Sequence, residues 1–312
     1  MPSLEGSRIY LAGHAGLVGA ALHRRLSKIR GLQLTVAPRR ELDLTQYAAV
    51  EKFIRARKPD IVVNAAGLVG GIGINAALPA EFIYQNLMIQ AHLVHAAWKN
   101  GVRGLLNFGS GCMYPVACPQ PMKPDVLLTG KLEPTSRSYA IAKLAGMEMC
   151  VAYNRQYGTR YINAIPANVY GPGDRFETDR AHVISALIRK FHDARKKSAR
   201  EVVLWGTGKA RRQFIFVDDL AEACLILLEK YEGNDPVNIG SDQVCAVAKL
   251  AVLAAKVVGF RGRIAWDTSK PDGPKEKTLD SQVILDLGWR PRTDLQTGLK
   301  QTYRWYLSKT QP

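Results

Sequence analysis

The chain has 312 residues of which 47% are hydrophobic, enough to bury the core of one large α/β unit with a smaller appended lobe, and this excludes a disordered polypeptide. It holds no apolar run of about eighteen residues, and Met1 to Ser7 lacks a basic stretch followed by an apolar one, so a soluble cytoplasmic protein that neither spans a membrane nor carries a secretory leader is expected. The net charge of +16 raises a nucleic-acid partner, but none is expected: the basic residues are dispersed, and the tightest cluster, Arg195, Lys196, Lys197 and Arg200, has no interleaved aromatics to stack on bases.

Short β-rich apolar runs predict strands at Arg8 to Ala12, Leu32 to Ala37, Asp60 to Ala66, Gly104 to Gly109 and Tyr161 to Ile165. Between them, Ala15 to Ile29, Leu44 to Arg57 and Glu81 to Asn100 space apolar residues three and four apart, as buried helix faces do. Strand alternating with helix predicts an α/β fold with a doubly wound parallel sheet covered on both faces. Beyond about Pro172 the pattern loosens, with a basic helix near His182 to Lys197, a strand at Val202 to Trp205 and a helix from Asp218 to Tyr231. The expected division is a dinucleotide-binding Rossmann domain over residues 1–171, to which about 210–240 return, and a partly interleaved substrate lobe over 172–312. Five scattered cysteines, Cys112, Cys118, Cys150, Cys224 and Cys245, have no C-x-x-C spacing, so reduced thiols are expected rather than disulfides or a metal site.

Gly13, Gly16 and Gly19 follow the first strand and open the first helix, with Leu17 and Val18 between the last two. Glycines there let the backbone approach a pyrophosphate, which rests on the free amides of the helix N-terminus. The second strand ends in Ala37-Pro38-Arg39-Arg40 where an NAD enzyme usually places a carboxylate. Two guanidiniums suit a 2′-phosphate, so NADP(H) is the expected cofactor; the competing reading makes Glu41 the ligand of an NAD ribose. Asp43 and Leu44 are placed to border the adenine.

Tyr139 and Lys143 stand four apart, on one face of a helix, where an ammonium beside a phenol favours phenolate and readies Tyr139 to exchange a proton with a sugar oxygen. Ser110, after the fourth predicted strand, can hydrogen-bond the same oxygen. Cys112 is either a proton carrier or a structural thiol, and His182, opening the later helix, is either an acid/base group or a structural imidazole.

Glycine turn, serine, then tyrosine and lysine is the order of the short-chain dehydrogenases, and within their extended branch the chain resembles the GDP-L-fucose synthase family. The resemblance rests on the turn at 13–19, Val69-Gly70-Gly71-Ile72, Phe82-Ile83-Tyr84-Gln85-Asn86, the Ser110/Cys112 stretch, Glu133-Pro134 with Tyr139 to Lys143, and Pro166-Ala167-Asn168-Val169-Tyr170-Gly171-Pro172. It continues in His182-Val183-Ile184, Trp205-Gly206, Arg212-Gln213-Phe214 and Lys270-Pro271-Asp272-Gly273.

The resemblance implies epimerisation at C3 and C5 of GDP-4-keto-6-deoxy-D-mannose followed by NADPH-dependent reduction at C4, in a homodimer paired through its long helices. It makes Cys112 and His182 the acid/base pair, with Tyr139 donating to the C4 oxygen and Ser110 and Lys143 supporting it. It assigns Asn86, Gly109, Lys143, Pro166, Asn168, Val169 and His182 to the cofactor. To the substrate it assigns Val183, Leu187, Lys190, Trp205, Arg212 and Asp272. Ala15, Gly111 and Lys190 depart from the family pattern, in which arginine, serine and arginine are frequent. A sister enzyme acting on a 3-deoxy sugar (GDP-colitose synthase), an NAD-dependent nucleotide-sugar 4-epimerase and a binding protein on a retired dehydrogenase fold stay open as rival readings.

Overall fold

Strand and helix alternate up to Pro166 in the computed structural model, which describes residues 4–177, 181–270 and 272–310; Met1 to Ser3 and Pro271 lie outside the described residues. The strands are β1 (Arg8–Ala12), β2 (Gln33–Thr35), β3 (Ile61–Asn64), β4 (Gly104–Phe108) and β5 (Arg160–Pro166). The helices between them are α1 (Leu17–Leu26), α2 (Tyr47–Arg57), α3 (Ile72–Ala77), α4 (Pro79–Lys99) and α5 (Arg137–Tyr157). β2 is shorter than the run Leu32 to Ala37 predicts, because it lies at the sheet edge and pairs with β1 only from Gln33 to Thr35.

The chain continues through β6 (Asn168–Tyr170), α6 (Val183–Lys196), β7 (Glu201–Trp205), β8 (Arg211–Phe216), α7 (Val217–Lys230) and β9 (Val237–Ile239). It ends with β10 (Val244–Ala246), α8 (Val247–Val258), β11 (Arg263–Asp267), β12 (Glu276–Lys277), α9 (Gln282–Asp286) and α10 (Leu295–Thr310). Thus the stretch that reads as irregular beyond Pro172 contains the strands of two small sheets, β10-β8-β12, with the earlier β6 beside β8, and β7 with β11.

The main sheet is six-stranded and parallel in the order β2-β1-β3-β4-β5-β9. Every residue of β3 and β4 is buried, which is why these strands read as continuous runs rather than as alternations. One face carries a core of Leu22, Leu106, Ile162, Leu220 and Leu227, contributed partly by α1 and α7. The other carries Tyr10, Ile54, Val62, Leu93 and Leu105, under α2 and α4. A separate core of Ile188, Phe191, Leu250, Ala254 and Leu299 joins α6, α8 and α10. The chain leaves β1 for β2 on one side and returns to β3 on the other, and this reversal opens a crevice at the carboxyl ends of β1 and β3, where ligands of such sheets bind.

A polar ladder crosses the middle of this sheet. Asn64, Asn107 and Asn163 stand side by side in register on β3, β4 and β5. Asn64 donates to Asn107 at 3.0 Å, and Asn107 donates to Asn163 and to Gln90 of α4, both at 3.3 Å. Gln90 in turn donates to the Ala142 carbonyl of α5 at 2.9 Å. Buried amides of this kind are stable only when partnered, so the ladder fixes α4 and α5 over the strand ends. Among the described residues no helix is long and apolar enough to cross a membrane and no cluster of side chains could hold a metal ion.

Candidate active site

The glycine turn presses into the crevice between β1 and β3. Gly13 has φ +78°, and a Cβ there would lie 2.6 Å from the Ala65 carbonyl, just past β3; a Cβ on Gly19 would strike the Gly13 carbonyl. Gly16 is exposed, and a Cβ on it would meet nothing nearer than 3.5 Å, which leaves open space above the turn. The first amides of α1, around Leu17 and Val18, have no helical acceptor, no side chain caps them and no acidic residue lies in the first turn. These features fit a pyrophosphate approaching from above.

Arg39 and Arg40 are both exposed beyond β2. Arg40 reaches only Glu41, at 3.9 Å, with both side chains largely in solvent, so both guanidiniums are accessible to a phosphate. Asp43 is committed locally: its carboxylate accepts the Thr45 amide at 2.9 Å and hydroxyl at 2.8 Å, which hold it below the usual carboxylate range. The Leu44 carbonyl meets His92 of α4 at 2.9 Å. Asn86, expected at the cofactor, is buried, and its amide accepts from the Leu68 N–H and donates to the Leu68 and Phe82 carbonyls at 3.1, 3.0 and 2.7 Å, so it fixes the loop after β3.

Gly109 ends β4 by donating to the Ala164 carbonyl at 2.8 Å and is too closely faced by Met113 to carry a Cβ. Ser110 then turns the chain, accepting the Cys112 amide at 3.2 Å, and its hydroxyl lies near enough to the Tyr139 phenol to favour the phenol's charged form. Tyr139 lies on the first turn of α5, edge-on to Phe82 at 6.1 Å, with the Lys143 ammonium 5.9 Å from its ring centre. The turn into α5 is shaped by Glu133, whose carboxylate accepts the amides and hydroxyls of Thr135 and Ser136. Lys143 approaches the Gly67 backbone beside Asn86.

The electrostatics of the pair differ from the sequence expectation. Burial pushes the Tyr139 phenol up, the nearby Cys112 adds to this, and the Ser110 hydroxyl only partly opposes it. Burial pushes the Lys143 ammonium down to about 8. With both groups out of water, desolvation of the phenol exceeds the opposing effect of the Ser110 hydroxyl and favours the neutral phenol. Cys112 is half-buried on the short 3-10 turn Gly111–Met113.

His182 caps α6 from the far side of the cleft. Its neighbour Ala181 presents a carbonyl that would stand 2.9 Å from a Cβ on Gly71, so the loop of residues 67–71 runs from Lys143 and Asn86 at one end to the His182 segment at the other. Sequence reasoning missed Asp174, which is 6% exposed and meets His182 Nδ1 at 3.3 Å. Its only sequence signal is its place in the turn Gly171-Pro172-Gly173-Asp174 leading toward His182. Burial works against a charged imidazole, but the Asp174 hydrogen bond and charge outweigh it and Arg175 opposes only in part, so His182 is held above its ordinary value.

Pro166 ends β5, and Asn168 and Val169 pair with Phe214 and Ile215 of β8; the Asn168 amide is tied to the Gln213 carbonyl at 2.9 Å. At the other end of the cleft Trp205 is 70% exposed, with the ammonium groups of Lys190 and Lys270 at 6.0 and 5.8 Å from its ring. Beside it, Asp272 takes the Thr207 amide at 2.9 Å and the Thr207 hydroxyl, so it shapes the Gly206–Thr207 turn. Arg212 lies against Gly273 and donates to the Arg211 and Pro274 carbonyls, each at 2.7 Å. Val183 is partly exposed at the start of α6. Leu187, expected at the substrate, is 4% exposed within the core of the smaller lobe.

Residues 9–240 match the model of the NAD dependent epimerase/dehydratase family. The chain belongs to that family. Among curated relatives it is 48% identical to GDP-L-fucose synthase 1 of Arabidopsis thaliana, over 97% of this chain and 94% of that one. It is 44% identical to GDP-L-fucose synthase of Escherichia coli K12, covering 97% and 98% respectively. Among solved structures it is similar to a GDP-D-glycero-L-gluco-heptose synthase from Campylobacter jejuni, crystallised in the presence of NADPH, with TM-score 0.87, 34% identity and 99% of each chain covered. Relatives named for the synthesis of GDP-sugars thus occur in both comparisons.

Proposed function

We propose that the chain converts GDP-4-keto-6-deoxy-D-mannose to GDP-L-fucose, as a 3,5-epimerase and NADPH-dependent 4-reductase. The observation that carries this reading is one cluster in which the Ser110 hydroxyl acts on the buried Tyr139 phenol, Lys143 stands beside it, and Cys112 lies close enough to act on the tyrosine's charge. The Ser110–Tyr139–Lys143 set is what carbonyl reduction requires. Cys112 adds a group that a simple reductase has no use for.

The cofactor is NADP(H), which the glycine turn and the two free guanidiniums fit; when bound it supplies the hydride for the C4 carbon. The C4 ketone acidifies the hydrogens on C3 and C5. A base removes one as a proton, the enolate oxygen is held by Tyr139 and Ser110, and an acid on the opposite face returns a proton with inverted configuration. Cys112 on the Ser110 turn and His182 across the cleft are the two carriers in this reading. Trp205, with Lys190, covers the nucleotide end, and Arg212 meets the pyrophosphate. Residues 1–171 with about 210–240 form the cofactor lobe, and 172–312 mainly the substrate lobe. The enzyme works in the cytoplasm as a homodimer.

Loss of NADPH absorbance with GDP-4-keto-6-deoxy-D-mannose, followed by NMR of the product, tests the reaction. One NADPH consumed per GDP-L-fucose formed is the expected result, with inverted product falling by about 10²-fold or more in Cys112→Ser. Oxidation of NADPH only with the 3-deoxy sugar, or of neither nicotinamide cofactor with any GDP-4-keto sugar, overturns the reading.

A further inference from the structure

The carboxylate behind His182 has no part in the reaction as drawn above, yet its surroundings are unusually complete. Asp174 is 6% exposed, in the turn after β6. One oxygen accepts from the Arg175 amide at 2.8 Å and meets His182 Nδ1 at 3.3 Å; the other accepts from the Ser185 hydroxyl, itself fully buried on the first turn of α6. Both oxygens are therefore held by the chain, and the carboxylate cannot rotate away from the imidazole without breaking a buried bond. His182 itself keeps 40% of its side chain in contact with solvent. One ring nitrogen is thus anchored inside the protein while part of the side chain stays open to solvent.

We propose that Asp174, locked by Ser185, is the positioning residue of His182: it fixes Nδ1 as the donor nitrogen and leaves Nε2 to carry the epimerisation proton. The inference rests on the function proposed above and adds a residue that acts through the imidazole without touching substrate. A buried carboxylate on Nδ1 selects one tautomer and favours the imidazolium once Nε2 has taken a proton. Among the described residues the charges acting on His182 are Asp174, which favours its protonated form, and Arg175, which opposes it. Arg189 on the same helix is turned away, donating to the Phe176 carbonyl at 3.0 Å. In the protonated state Nε2–H donates to the substrate enolate carbon and a C–H bond forms; in the neutral state Nε2 takes the proton of the C–H bond that breaks, so the two half-steps balance.

The test uses Asp174→Asn and Ser185→Ala in the full-length protein, with two measurements. The first is solvent deuterium entering C3 and C5 of GDP-4-keto-6-deoxy-D-mannose without NADPH, as a function of pH. The second is NMR titration of the His182 ring. Asp174→Asn is expected to slow deuterium entry about 10- to 100-fold, within the range that general acid–base catalysis supplies. It also moves the His182 titration, and with it the alkaline limb of exchange, to lower pH. Ser185→Ala shifts both in the same direction by less, and remains readable should Asp174→Asn fold poorly. An unmoved His182 titration in a folded variant overturns the proposal, even where the rate falls, because a merely structural carboxylate would leave the ring's titration alone. Absence of deuterium entry in the unaltered protein would instead count against the parent reaction, while the ring titration still decides the role of Asp174.

Discussion

Lys143 carries a cost of burial. It is 3% exposed, and burial alone brings its ammonium down to about 8 from 10.5. For a base whose folded value is depressed, the unfolded chain keeps a proton that the folded chain has released, so stability of the ligand-free enzyme rises as pH climbs from about 8 to 10.5. Below that window the cost is fully present, up to about 3 kcal/mol. Lys143→Met is accordingly expected to raise the melting temperature of the ligand-free protein by several degrees at pH 7, with the gain fading above pH 10, and to lower reductase activity by about 10²-fold or more. Melting curves at pH 7 and pH 10 read the first part; a variant that melts lower at pH 7 would show that the ammonium is stabilised by its surroundings rather than tolerated for catalysis.

At the scale of elements, the catalytic helix is held by how closely α4 and α5 approach. Gly146 of α5 faces the Gln90 amide of α4, and a Cβ there would collide with it. That contact is what brings Gln90 within reach of both the Ala142 carbonyl and Asn107. Gly146→Ala must push the helices apart and break part of the ladder, a loss of about 1–3 kcal/mol in denaturant unfolding. Shortening the facing side chain makes room, so Gly146→Ala combined with Gln90→Ala should cost less than the two single changes summed. Strict additivity would mean that the helices do not meet at this point. Neither residue is catalytic, yet both set the height at which Tyr139 stands over Ser110.

At the scale of the molecule, α4 leaves an uncharged face without a cover. It carries no charged residue between Glu81 and Lys99, Tyr84 is 57% exposed, and Ile72 and Ile141 on the neighbouring helices are 64% and 37% exposed. An apolar surface on paired long helices is suited to a second copy of the same surface, which is the isologous pairing of a two-fold dimer. Light scattering should therefore give about twice the chain mass of 34.4 kDa, and Tyr84→Glu should return the protein to the monomer mass by burying a charge at that face. A monomer in the unaltered protein removes the homodimer. The net charge of +16 works at this scale too: it draws anionic ligands toward the protein without specifying which.

Periodicity and glycine spacing were sufficient for the alternating elements, for the turn at 13–19 and for the order Ser110, Cys112, Tyr139, Lys143, because each of these is a local property of a strand end or a helix face. The division of labour among those residues was not local. Tyr139 was expected to lean toward phenolate from its spacing to Lys143, whereas depth of burial, which depends on α4, β4 and the loop after β3, pushes the phenol up. Asn86, Leu187 and Asp272 sit in motifs that suggest ligand contact, and the fold adds partners within the protein that those motifs do not announce. Asp174 had no pattern to announce it. A carboxylate in a glycine-rich turn reads as a solvated loop until the fold carries α6 back across it, and the burial and the shared hydrogen bonds that make it functional exist only in the tertiary structure.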